Sequence, residues 1–173
     1  DHIARGALLH DVGKLGISMK VLNKPGRLEL AELEHVRTHA PIGGRILEPI
    51  SAFSDIMPIV TEHHEKYDGT GYPRGLKAKE ICIGARVFSV VDAYDTMRSV
   101  RVYRDAISPA EAIEEIKACS GSQFDPDVVG LSMYLFYSFL LTLAFLGGRR
   151  IIKKRGLRTG KYWPSLRERL GFL

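Results

Sequence analysis

Residues 52–73 read AFSDIMPIVTEHHEKYDGTGYP, and the change of pattern within this stretch decides the class of fold. The first part has apolar residues at helical spacing, and the last part is a glycine-rich run that ends at Pro73. Two adjacent histidines, His63 and His64, stand where one pattern gives way to the other. We therefore predict a helix followed by a long loop between Tyr67 and Cys82. The residues of this loop favour a defined turn over a flexible linker.

The segments on either side of this stretch are helical as well. Apolar residues recur at helical spacing in IARGALLHDVGK (3–14), which ends near Gly13, and in KEICIGARVFSVVDAYDTMRS (79–99). The long amphipathic segment 29–50 contains Pro41, which predicts a kink or a break close to His39. In SPAEAIEEIKA, Ser108 is the expected N-cap, Pro109 the first helical residue and Glu111 the partner in a capping box. No stretch alternates as a strand would, so we predict an all-α fold.

Composition describes a globular chain whose charge is unevenly distributed. The 173 residues are 45% hydrophobic and 26% charged, with two cysteines that we interpret as reduced packing thiols. Residues 1–127 hold 16 Lys and Arg against 19 Asp and Glu, whereas residues 128–173 hold 9 against 1. The net charge of +5 therefore comes from the last segment and gives no indication that the body binds nucleic acid.

Imidazole and carboxylate groups recur in the predicted helices in a way that suits a metal site. The candidate residues are His10, Asp11, His39, His63, His64, Asp92 and Asp95. An all-α bundle can bring inward-facing side chains of several helices together, and this mixture of ligands suits Mn, Fe, Zn or Ni. Asp11 could bridge two ions about 3.5–4 Å apart. The histidine doublet would serve two neighbouring ions, or one ring would bind metal while the other contacts substrate. His2 and His35 are interpreted as surface or packing residues.

Four spaced motifs, HDVGK, THAPIGG, HHEKYDGTGYP and VVDAYD, together resemble the HD-GYP domain, a bacterial subgroup of the HD superfamily of metal-dependent phosphohydrolases. The similarity runs from about residue 3 to residue 129. It implies an all-helical bundle that binds two or three iron or manganese ions. The implied activity is hydrolysis of cyclic di-GMP to linear pGpG or to GMP, in the cytoplasm, with sensor or GGDEF-type domains as partners.

The resemblance also implies roles for individual residues. The metal ligands would be His10, Asp11, His39, His63, His64 and Asp92. Lys14, placed one helical turn after His10, would reach the scissile phosphate beside Asp11. Gly71, Tyr72 and Pro73 would border the substrate, with Tyr72 either stacking on a guanine or anchoring the loop. Arg101 and Arg104 would bind phosphate, or else lie at a solvated helix end.

The sequence departs from the family pattern in three places. Upstream ligands of the family are absent, so we interpret the chain as a fragment without its first helices, which would leave apolar surface exposed. Val100 and Val102 stand where the family has Asp and Pro, which predicts an altered loop. An impaired fragment that only binds nucleotide or a partner is the alternative to an active enzyme.

The third departure lies C-terminal to the part of the chain that resembles the HD-GYP domain. We divide the chain into a domain at 1–129, an apolar helix at 130–148 and a basic tail at 149–173. Residues 128–148 carry no charge and have about the length that spans a bilayer. The alternatives are a membrane span, a helix buried against another domain, an interfacial anchor, or a shifted reading frame. Membrane contact through 128–155 is thus an open expectation.

Overall fold

The fold is helical throughout the residues that the computed structural model describes, 2–99 and 106–131. The helices are α1 His2–Leu9, α2 Met19–Leu22, α3 Leu30–Arg37, α4 His39–Leu47, α5 Met57–Glu62, α6 Ile83–Arg98 and α7 Pro109–Ala118. Short 3₁₀ turns lie at Val12–Gly16, Ser51–Phe53 and Ala78–Glu80, and residues 126–131 are helical. Within these ranges β structure is limited to one isolated bridge between Ser120 and Phe124, which confirms the all-α prediction.

The predicted break near Pro41 is confirmed, because segment 29–50 forms two helices. Helix α3 ends at Arg37 and α4 begins at His39, with Thr38 between them. The Thr38 hydroxyl donates to the carbonyl of His35, 2.6 Å away. Pro41 then falls in the first turn of α4, where its missing N–H costs no helical hydrogen bond. The break makes His39 the first residue of a helix.

Two predicted helices are shorter than expected. Helix α1 ends at Leu9 rather than near Gly13, and the chain continues as a 3₁₀ turn. The predicted helix across 52–67 is α5 alone, with a separate 3₁₀ turn before it. Pro58 explains that start, since proline is accommodated in the first turn of a helix and disrupts a later one.

The apolar core lies in three clusters that hold the helix ends in place. Leu47, Ile56 and Val60 join α4 to α5. Ile17, which follows the Val12–Gly16 turn, packs against Val36 of α3. The largest cluster joins α6, α7 and the following turn through buried side chains that include Val90, Met97, Ala112, Ile116, Phe124, Val128 and Val129.

Some predictions fall outside the described residues. These are Arg101, Arg104, most of the loop at Val100 and Val102, the apolar helix beyond residue 131, and the basic tail. Within the described residues, no helix is both long enough and apolar enough to cross a bilayer. Several large apolar side chains of the described part are exposed, among them Leu8 and Leu15, each at 82%.

Candidate metal centre

The ends of three helices converge on one point. His10 follows the last residue of α1, His39 is the first residue of α4, and His63 and His64 follow the end of α5. Helix ends, rather than helix faces, therefore present these imidazoles. The clusters that pack α1, α4 and α5 together fix the distances between them.

Three imidazoles point their Nε2 atoms at a common centre. The Nε2 atom of His39 lies 3.3 Å from that of His63 and 3.1 Å from that of His64. Among the described residues, these three offer ligand atoms that all lie within 4.8 Å of one another. A divalent cation placed between such lone pairs would relieve their repulsion, so this donor set could hold a metal ion.

Backbone carbonyls set the orientation of the rings. The Nδ1 atoms of His10, His39 and His63 lie 2.7, 2.8 and 2.8 Å from the carbonyl oxygens of Ala7, Val36 and Val60. A carbonyl can only accept, so Nδ1 carries the proton in each ring. In the neutral form of each ring the Nε2 lone pair is then directed away from the backbone, as a metal ligand requires.

Burial keeps the central imidazoles neutral. His39, His63 and His64 are buried, with exposures of 0, 3 and 7%. Burial lowers the pKa of His39 to about 4 and the pKa values of His63 and His64 well below their usual range. These rings are therefore neutral near pH 7, in the form that binds metal.

Asp11 and Lys14 lie beside the imidazoles. One Asp11 oxygen is 3.1 Å from His10 Nε2 and the other is 3.7 Å from His39 Nε2. Lys14 donates to Asp11 across 2.5 Å. Burial acts to raise the pKa of Asp11, but the hydrogen bond and charge of His10, together with Lys14, outweigh it and hold that pKa well below its usual range. Asp11 is thus a carboxylate between His10 and His39.

The turn that carries Asp11 and Lys14 needs a glycine. A Cβ atom at Gly13 would lie 1.9 Å from the carbonyl oxygen of His39 and 2.4 Å from the amide nitrogen of Gly43. The 3₁₀ turn thus lies directly against the backbone of α4. The 3₁₀ turn itself, and not a continuous helix from His10, brings Lys14 to Asp11, since the Lys14 amide donates to the Asp11 carbonyl at 3.0 Å. The helical-turn argument for Lys14 was therefore wrong in its reason.

Helix α6 forms an apolar wall of the centre. The Phe88 ring lies 4.8 Å from the ring of His10 and 6.2 Å from that of His63. Asp92 is half-buried and stands four residues further along α6, hence on the same side of that helix. It is not one of the three residues in the close group.

The loop after the histidines is held by two glutamates. Glu62 accepts hydrogen bonds from the Cys82 amide at 2.7 Å and from the Arg74 side chain at 2.5 Å. Glu65 accepts from the amides of Arg74 and Leu76, at 2.7 and 3.0 Å. These contacts confirm that the loop is a defined turn.

Tyr72 packs inside this arrangement. Its ring stacks on His64 with centroids 4.7 Å apart, and the Arg37 guanidinium lies 5.1 Å from its centroid. The hydroxyl is buried and has no hydrogen-bond partner among the described residues, and burial raises its pKa well above the usual range. These contacts favour the loop-anchor interpretation of Tyr72. Gly71 lies against the backbone of Glu65 and Lys66, and Pro73 is exposed.

The structure gathers His10, Asp11, Lys14, His39, His63 and His64, whereas their roles stay predictions. Whether the doublet serves two ions, or one ring binds metal while the other contacts substrate, also stays a prediction. Because α5 ends at Glu62, both histidines lie beyond the helix, and both Nε2 atoms approach the same atom of His39. The sequence interpretation missed Glu62, Glu65, Arg37 and Phe88. Only the two glutamates left a signal, since they flank the doublet directly.

Comparison with known proteins places this geometry in context. Residues 2–128 match the family described as HD domain. A 3'3'-cGAMP-specific phosphodiesterase of Vibrio cholerae is 39% identical over 125 residues, which are 72% of this chain and 27% of the relative. A cyclic di-GMP phosphodiesterase of Thermotoga maritima is 43% identical over 127 residues, 71% of this chain and 34% of the relative.

A further relative and a solved structure that resemble this chain are also named phosphodiesterases. A cyclic di-GMP phosphodiesterase of Pseudomonas aeruginosa is 41% identical over 124 residues, 70% of this chain and 29% of the relative. The chain thus spans about a third or less of the length of these relatives. A crystal structure of a cyclic GMP-AMP specific phosphodiesterase of V. cholerae matches with a TM-score of 0.59 at 21% identity, covering 82% of this chain and 39% of that one. This likeness supports the fold.

Proposed function

Since this chain belongs to the HD domain family, and carries the HD-GYP motif set, we propose that residues 1–129 form a metal-dependent phosphodiesterase. Its substrate is cyclic di-GMP, and its product is linear pGpG or GMP. The convergence of three neutral imidazoles beside an ionised Asp11 carries the proposal. The names of the relatives support the class of substrate.

Six residues would hold the metal. They are His10, Asp11, His39, His63, His64 and Asp92, and they would bind two or three iron or manganese ions. Bound there, the ions supply an activated water and neutralise charge on the phosphoryl oxygens. The backbone carbonyls of Ala7, Val36 and Val60 support this role. They bind Nδ1 of the rings of His10, His39 and His63, and so leave Nε2 of each ring free to bind metal.

The chain's own groups supply the rest of the chemistry. Lys14 is a largely buried cation next to Asp11, with 10% of its side chain exposed. At that position it can hold a phosphate oxygen and offset charge that builds up in the transition state. Phe88 closes one side of the centre and keeps bulk water from it. Gly71, Tyr72, Pro73, Arg101 and Arg104 remain proposed contacts of the substrate.

The choice between two cyclic dinucleotides is a matter for experiment. Relatives are named both for cyclic di-GMP and for 3'3'-cGAMP. We propose cyclic di-GMP because the GYP motif belongs to the resemblance that implies it. Equal amounts of both compounds, assayed side by side, should show a higher kcat/KM for cyclic di-GMP.

Hydrolysis tests the proposal directly. The purified chain should release pGpG or GMP from cyclic di-GMP under anaerobic conditions with Mn²⁺ or Fe²⁺ supplied, and His10→Ala and Asp11→Ala should lose at least about 100-fold in kcat/KM. His2→Ala is the matched control, since His2 is exposed on α1. Tight nucleotide binding without product would favour the binding-module alternative. Normal hydrolysis by both site variants would refute the assignment.

The cellular setting follows from the same proposal. A cyclic di-GMP phosphodiesterase acts in the bacterial cytoplasm, where sensor or GGDEF-type domains are candidate partners. Membrane contact through 128–155 stays a proposal based on the uncharged residues 128–148 and the basic residues after them.

A further inference from the structure

Two buried glutamates bracket the histidine doublet in the order Glu62, His63, His64, Glu65. Their exposures are 7 and 4%, so both carboxylates are desolvated. A buried carboxylate is retained only when its oxygens are paired. The chain therefore places two acidic groups immediately beside two candidate ligands, and neither belongs to the close imidazole group.

All four carboxylate oxygens are occupied by donors from residues 74–82. Glu62 uses one oxygen for the Arg74 guanidinium and the other for the Cys82 amide. Glu65 uses one oxygen for the Arg74 amide and the other for the Leu76 amide. Hydrogen bonds to a carboxylate are stronger than those between neutral groups. Because every oxygen is engaged, these residues fit a supporting role better than that of metal ligands.

The loop held in this way returns to the doublet. The Tyr72 amide donates to the carbonyl of His64 at 3.2 Å, and the Tyr72 ring stacks on the His64 imidazole. Gly71 permits this approach, since a Cβ there would lie 2.2 Å from the Lys66 amide nitrogen. The path is continuous: glutamate to loop, loop to Tyr72, and Tyr72 to the ring of His64.

We propose that Glu62 and Glu65 are positioning residues for the metal centre. They hold residues 71–76 against the segment 62–66, and the loop in turn fixes the ring of His64 beside that of His63. The inference rests on the proposed function for its activity readout alone. Metal affinity tests it even if the natural substrate is different.

The test compares Glu62→Gln and Glu65→Gln with Glu80→Gln. Glutamine keeps the size of the side chain but turns one amide N–H₂ toward a protein donor. Glu80 belongs to the same loop and accepts the Lys77 amide, but it is exposed, so water can relieve the mismatch. Ile116→Val, in the α6 and α7 cluster, controls for lost stability at a distance from the loop.

Titration of the full chain with Mn²⁺ gives the main readout. We expect Kd to rise about 10- to 100-fold in Glu62→Gln and Glu65→Gln, as for other residues that support metal ligands, and to stay within about 2-fold in both controls. Where the wild type hydrolyses cyclic di-GMP, kcat should fall with a smaller change in KM. An Mn²⁺ affinity that is unchanged while Tm falls would overturn the inference, because the glutamates would then only anchor the loop.

Two further measurements keep the outcome decisive. If Glu65→Gln does not fold, Arg74→Gln removes one donor to Glu62 from a side chain that is 55% exposed, and wild-type affinity in that variant would refute the inference. Long-range ¹H–¹⁵N spectra of metal-free Glu62→Gln and Glu65→Gln should show ring signals of His63 and His64 that are shifted relative to those of the wild type. The ring signals of His2 and His35 should be unchanged. Absent hydrolysis together with these changes would count against the proposed function alone.

Discussion

At the scale of single residues, the metal centre depends on a few close contacts that leave little room for substitution. The His39 ring is fixed by the Val36 carbonyl on one side and faces two other imidazoles on the other. Glycine is the only residue type that fits position 13, because a Cβ there would lie 1.9 Å from the carbonyl oxygen of His39. Small changes at these positions should therefore have large effects.

Gly13→Ala should separate the HD turn from α4. A Cβ cannot move away from two backbone groups without shifting the turn, and overpacking of this kind costs about 1–3 kcal/mol or more. We expect urea denaturation to show that loss and Mn²⁺ titration to show weaker binding. Gly130→Ala is the control, since no atom of the residues that the structure describes lies within 4 Å of a Cβ there. Wild-type stability and affinity in Gly13→Ala would contradict the described contact.

Tyr72→Phe should be nearly neutral for folding. The hydroxyl is buried without a partner among the described residues, so its removal leaves no other group unpaired. The free energy of unfolding should stay within about 0.5 kcal/mol of wild type or rise, whereas Tyr72→Ala should lose the stack on His64 and destabilise the protein. A raised KM for Tyr72→Phe, with stability unchanged, would show that the hydroxyl contacts substrate.

At the scale of elements, helix ends matter more than helix lengths. α1, α4 and α5 each have fewer than ten residues, yet their ends carry the histidines. Helix α7 is different, because its signals are local. Ser108 accepts the Glu111 amide at 3.2 Å, and Glu111 accepts the Ser108 amide at 2.7 Å, as the predicted capping box requires.

Ser108→Ala should destabilise the domain by about 1 kcal/mol, the usual cost of a lost N-cap. Helix α7 packs on α6 through buried Ala112 and Ile116, so the loss should appear in the global unfolding transition. Ser54→Ala, at the exposed serine that follows the Ser51–Phe53 turn, should change little. A loss confined to Ser54→Ala would be inconsistent with the capping assignment.

At the scale of the whole molecule, the metal centre makes stability depend on pH. The folded pKa of His39 is about 4, against 6.5 for the free side chain, and those of His63 and His64 are also lowered by burial. The unfolded chain thus binds more protons than the folded one below pH 6.5. Stability must then fall as the pH falls.

Urea denaturation of the metal-free chain between pH 8 and pH 4 measures this dependence. Little change is expected above about pH 7, followed by a decline from about pH 6.5 down to about pH 4, with His39 alone contributing on the order of 3 kcal/mol. Asp11, whose pKa is lowered, adds a further loss at more acidic pH. Replacing His39 by Gln should flatten the decline, and His35→Gln should not. A flat profile in the wild type would show that the imidazoles are not buried in neutral form.

The sequence alone determined the features that depend on neighbouring residues. Helical periodicity gave the all-α fold, Pro41 the break between α3 and α4, and Ser108, Pro109 and Glu111 the start of α7. The motif set identified the HD domain family and the candidate ligands. All of these follow from local chemistry or from motifs read along the chain.

Tertiary structure decided how those residues meet. Asp11 lies 3.7 Å from His39 because the turn that carries it packs through Gly13 against the backbone of α4, a contact between residues far apart in sequence. The convergence of His63 and His64 on His39 depends on α5 ending at Glu62, and the roles of Glu62 and Glu65 depend on a loop that returns to them. Periodicity records neighbours within one helix, whereas packing between helices sets distances across the chain, and the metal centre is made of such distances.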